Sequence, residues 1–68
     1  MFMKFAGLTN DHKKIKAELG NPIDFKVMQQ FTSEFSSKQW EKRMYAQGYE
    51  KDKKGIGWKY GYTFSVRR

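Results

Sequence analysis

The apolar positions of the chain change their spacing twice, and each change marks a boundary. In MFMKFA at the start, Met1, Met3 and Phe5 fall on one side of an extended segment, which predicts a short N-terminal strand. The spacing then becomes helical. Thr9 or Asn10 suits an N-cap, Ile15 and Leu19 share a face one turn apart, and Gly20 supplies a left-handed terminator. Asn21 and Pro22 restart the chain as cap and first helical position, and Ile23, Val27 and Phe31 follow at intervals of four with Met28 beside them, predicting a second helix. A third helix is predicted from Ser36, where Ser36 and Gln39 have capping-box spacing and Phe35 and Trp40 occupy the staple positions; Gly48 ends it. Trp40 and Met44 point together, which leaves Lys38, Gln39, Lys42, Tyr45 and Ala46 on the opposite side. After Gly48 the period shortens to two. YEKDK and WKYGYTFSV flank the turn-prone KGIG, and Trp58, Tyr60, Tyr62, Phe64 and Val66 alternate with smaller or polar residues, which predicts a β-hairpin.

Three short helices and a closing hairpin give an α+β domain in the order of a winged helix-turn-helix. With 68 residues there is room for one domain over residues 1–68 and one small core. That core is expected to unite Ile15, Leu19, Val27, Phe31, Trp40, Met44 and Phe64 with at least two of Trp58, Tyr60 and Tyr62.

Charge adds a function to this outline. The net charge is +7, and aromatic residues make up 18% of the chain, enough apolar area to argue against disorder. Up to Phe35 the lysines and carboxylates nearly cancel, leaving +1, whereas from Ser36 onward the chain carries +6. A concentrated basic stretch is the electrostatic footprint of a polyanion binder. A helix fits the DNA major groove, so Lys38, Gln39, Lys42 and Arg43 are the candidate base or phosphate contacts of the third helix. Lys51, Lys53, Lys54 and Lys59 are the candidate wing contacts, chiefly to phosphates. Double-stranded DNA is the expected partner. One short recognition helix binds weakly, so a homodimer or recruitment into a larger complex is expected for tight specific binding.

Within residues 36–64, Ser37-Lys38, Trp40, Met44, Gly48-Tyr49, Lys51, Gly55, Trp58 and Gly61-Tyr62 occur in an order that resembles the small winged-helix domain following the helicase module in phage and plasmid primase-helicases. The resemblance implies a DNA-contacting role and a small phage or mobile-element regulator or replication accessory. It does not extend to helicase activity, because the chain has no Gly-x-x-x-x-Gly-Lys-Ser/Thr loop and no room for an ATPase.

Other chemistries find little support. The chain has no cysteine, so disulfides, thiolate metal sites and cysteine nucleophiles are absent, in keeping with a reducing cytoplasm. The segment MFMKFAGLTN is too short and too soon interrupted by Asn10 and Asp11 for a signal-peptide apolar region, and no stretch reaches membrane-spanning length. His12 stands alone, and no Ser, Asp or paired carboxylates show catalytic spacing, so neither a metal, a cofactor nor an enzymatic activity is expected. Two competing readings have their own signatures. A phage-type protein that inhibits or redirects a host protein would expose Tyr45 or Ile56 in an apolar patch, and an RNA binder would expose several of Trp58, Tyr60 and Tyr62 for stacking.

Overall fold

The computed structural model describes residues 2–67; Met1, expected on the first strand, and Arg68, counted in the basic C-terminal half, lie outside them. The elements are β1 (Phe2–Thr9), α1 (His12–Glu18), β2 (Lys26–Gln30), α2 (Glu34–Ala46), β3 (Glu50–Lys51) and β4 (Tyr60–Arg67). The four strands form one mixed sheet in the order β2-β4-β1-β3, with β4 antiparallel to both neighbours and β3 parallel to β1.

Strand pairing separates the side chains into two faces. Ala6 and Leu8 lie opposite Thr63 and Gly61, while Phe5, Gly7 and Thr9 lie opposite Phe64, Tyr62 and Tyr60. The first set meets α2: Ala6, Leu8, Phe31, Trp40 and Met44 form one buried cluster, with Tyr49 and Trp58 against it. The second set meets α1: Ile15, Tyr62 and Phe64 form another, with Phe5, Leu19 and Phe25 against it. The helices therefore cover opposite faces. The β1–α1–β2 and β2–α2–β3 crossovers run in opposite directions across the sheet and over opposite faces, so they share one hand, as the right-handed rule for such units requires.

Both helices end on the expected glycines but start elsewhere than expected: Asp11, not Thr9 or Asn10, caps α1, and Ser33, not Ser36, caps α2. Asp11 caps α1 by accepting from the Lys14 N–H at 3.1 Å, and Ser33 caps α2 by accepting from the Ser36 N–H at 3.2 Å. Each ends on a left-handed glycine, Gly20 at φ 80° and Gly48 at φ 99°. The N–H groups of Gly48 and Tyr49 return to the carbonyls of Tyr45 and Met44, which is a Schellman closure, and Tyr49 packs against the cluster that contains Met44.

Several expectations are corrected. The chain has two helices, not three: residues 22–31, expected as a helix, form a turn and then β2. Pro22 accepts from the Phe25 N–H to close that turn, the Asp24 carboxylate accepts from the Ser65 N–H of β4, and Asn21, expected as a helix cap, takes a left-handed φ of 53°. Ladder bonds to β4 then hold Lys26–Gln30 extended; Ile23, in the turn, is fully exposed, Val27 is 39% exposed, and Phe31 alone of the three is buried. No C-terminal hairpin forms either. β3 pairs with β1, β4 pairs with β1 and β2, and residues 52–59 are a loop carried across the end of β1 by Asn10, whose side chain accepts from the N–H groups of Trp58 and Lys59. The expected three helices and closing hairpin are thus replaced by two helices, one on each face of a four-stranded mixed sheet. The single core expected from the sequence is two clusters divided by the sheet, and Val27 belongs to neither.

Candidate nucleic-acid interface

The long helix presents one side entirely to solvent. Ser37, Trp40 and Met44 point inward, and successive positions turn by about 100°. Phe35, Gln39, Lys42 and Ala46 consequently face outward, all exposed. Ser36 and Arg43 lie on one shoulder, and Lys38 lies on the other with Glu34 and Glu41. The cations and the amide of the outward strip therefore stand apart from the helix's two carboxylates. Phe35, expected as a staple residue, is 73% exposed because the helix starts three residues earlier than the Ser36 signal implies, which moves Phe35 onto the outer side of the first turn.

Beside the acidic shoulder runs a cleft between α2 and the β3–β4 loop. Lys38, Lys51 and Lys53 line it together with Glu34 and Glu41, over a floor that includes Leu8 and Trp58. Asp52 also borders it, but both of its oxygens are engaged within the chain, accepting from the Tyr62 hydroxyl and from the Lys54 N–H. Lys54 points to the other side of the molecule, where it lines a hollow with Lys14 and Glu18 beside α1. Lys59 lies apart as well, its amine 5.9 Å from the Tyr60 ring. The fold thus gathers Lys38, Gln39, Lys42, Arg43, Lys51 and Lys53 on the α2 side and leaves Lys54 and Lys59 outside that group.

Two phenols near the cleft are kept protonated. Burial, then the hydrogen bond to the Asp52 carboxylate, pushes the Tyr62 hydroxyl well above the ordinary phenol range. Tyr45, expected on the exposed side of its helix, is half-buried. Its hydroxyl has no hydrogen-bond partner, and burial followed by the nearby Glu41 carboxylate raises its pKa.

The α2 side also holds cations that sequence reasoning left out. Lys4 on β1 and Lys26 on β2 share the α2 face of the sheet, and the Lys4 amine lies 5.1 Å from the centre of the Tyr49 ring. They belong to the near-neutral first half of the chain, so charge counted along the sequence could not find them; only strand order places them beside α2. Among the described residues there is no group of three or more His, Cys, Asp or Glu arranged to hold a metal ion, and no helix is long and apolar enough to cross a membrane. No protein-family model matches the chain, and no curated protein or solved structure matches it.

Proposed function

We propose that the protein binds duplex DNA through the outward side of α2 and the lysine-bearing cleft beside it. The observation that carries this reading is the outer strip of α2, where Gln39, Lys42 and Arg43 stand exposed on the strip and its shoulder with no carboxylate among them. A helix that lies on a sheet with its outer half free can enter the major groove, where Gln and Arg match adenine and guanine edges. Phe35 at the start of the strip supplies an apolar contact of the kind thymine methyl groups accept. Lys38, Lys51 and Lys53, which share the cleft with Glu34 and Glu41 to one side of the helix, would meet phosphates of one bordering strand.

The test is anisotropy of a labelled duplex titrated with the protein at several salt concentrations. Binding is expected to weaken steeply with salt, and the Lys51→Ala/Lys53→Ala variant to flatten the slope by roughly 0.9 unit per lost phosphate contact, for all duplex sequences alike. Gln39→Ala or Arg43→Ala is expected instead to reduce preference among sequences by about 1–3 kcal/mol at the contacted base pair. Duplex binding that is undetectable at low salt overturns the reading. The exposed Phe35 ring would then favour the competing one, a protein partner gripping the same strip, for which Phe35→Ala is the diagnostic loss.

A further inference from the structure

On the α2 face the sheet is only partly covered. The helix buries the row of Ala6 and Thr63, but the next row, Lys4 opposite Ser65, lies open, and Arg67 follows on the same face. Lys26 and Met28 flank this ledge from β2, Tyr49 bounds it at the end of α2, and Ser65 and the buried Thr63 form its floor. One carboxylate borders it, Asp24. The Ser65 side chain and backbone N–H hold it below the usual carboxylate range, and it ties the β2 turn to β4. The ledge therefore offers three cations and the Ser65 hydroxyl around one ionised carboxylate, on the side of α2 away from Lys51 and Lys53.

We propose that this ledge binds backbone phosphates of the same duplex that α2 enters, so that the helix is bracketed by cations on both flanks. The inference rests on the DNA reading above and extends it to residues outside the candidate set. Its geometric basis is depth. A helix stands about 10 Å off the sheet beneath it, and the major groove is about 8.5 Å deep. When the helix lies in the groove, the phosphate ridges at its borders come down toward the sheet surface, within the length of a lysine or arginine side chain rising from it. Lys38, Lys51 and Lys53 meet one ridge, and Lys4, Lys26 and Arg67 meet the other. Charge complementarity favours phosphate, because three cations stand around one carboxylate, with Met28 and Ile23 adding apolar surface beside them.

The experiment measures duplex affinity against salt for the full chain, the Lys4→Ala/Lys26→Ala variant and the Lys4→Arg/Lys26→Arg variant, with thermal melting of each. The alanine pair is expected to flatten the salt slope by roughly 0.9 unit per lysine while leaving preference among duplex sequences unchanged, and the arginine pair to keep the parental slope. The arginine variant keeps the test valid even if loss of the Lys4–Tyr49 contact weakens the fold. A parental slope in a folded alanine pair, alongside a flattened slope in Lys51→Ala/Lys53→Ala, overturns the ledge and leaves the α2 reading standing. Absence of duplex binding by the parent overturns both.

Discussion

At the scale of single residues, the fold depends on two glycines lying under large rings. A Cβ at Gly61 would come within 2.8 Å of the Trp40 ring, so this strand position must lack a side chain for α2 to sit on the sheet. Trp40→Ala is expected to cost about 3–5 kcal/mol and Gly61→Ala about 1–3 kcal/mol, both read from denaturant unfolding. A Gly61→Ala protein as stable as the parent would show that the ring is not seated there. Tyr62 crosses its cross-strand partner Gly7 in the same way to reach Asp52 near the sheet edge. Because the Tyr62 pKa is raised on folding, the native state holds the phenol proton more tightly than the unfolded chain. Its contribution is complete below the ordinary phenol value of about 10 and is lost as pH climbs beyond it. Stability is therefore expected to fall with pH in the alkaline range. Tyr62→Phe, at a cost of about 1.5–3 kcal/mol near neutrality, should remove part of that fall, the rest belonging to Tyr45.

At the scale of elements, the positions that carried their own local chemistry were readable and those decided by distant pairing were not. Gly20 and Gly48 end helices as expected, Met3 and Phe5 share a strand face, and the alternation of Tyr60, Tyr62, Phe64 and Val66 is β4. The stripe of Ile23, Val27 and Phe31 misled because its interval of four did not mark one shared face. Only Val27 of the three lies in β2, with Ile23 in the turn before it and Phe31 beyond a bulge that breaks the register, and pairing with β4, more than thirty residues away, decided the outcome. The hairpin failed for a similar reason: KGIG is turn-prone, but β4 is paired on both sides by β1 and β2, so the two residues of β3 add to the free edge of β1. The start of α2 was misplaced by competition between two serines with cap-like spacing. Ser33 accepts from the Ser36 N–H, whereas Ser36 lies inside the first turn and its hydroxyl only receives that of Ser33, at 3.0 Å. Ser33→Ala is accordingly expected to cost about 1 kcal/mol and Ser36→Ala markedly less, and the reverse order in chemical unfolding would restore the later start. The candidate site was legible to the same degree. The exposed cations of α2 followed from its own periodicity, while the separation of Lys54 and Lys59 from the rest, and the arrival of Lys4 and Lys26, required the sheet order.

At the scale of the whole molecule, the fold redistributes the charge that the sequence concentrates. A division of +1 and +6 between the halves becomes cations on both faces of the sheet, because β4 returns through the centre and α1 brings Lys13, Lys14 and Lys16 to the far side. A net charge of +7 on a molecule with a radius of gyration of 11.1 Å implies self-repulsion in the compact state, which salt screens within a Debye length of about 10 Å at 0.1 M. Two salt responses of opposite sign then follow. The fold should become more stable between about 10 and 200 mM salt, by roughly 0.5 kcal/mol or about 2–4 °C in Tm, because like charges repel less when screened. Duplex affinity should fall over the same range, because displaced counterions return to the phosphates. Measured side by side, melting and binding separate the two causes of lost complex: weaker binding by a more stable protein is electrostatic release from DNA. Parallel decline of Tm and affinity would instead mean that salt acts on the fold and that the cations of α2 are not the source of the dependence.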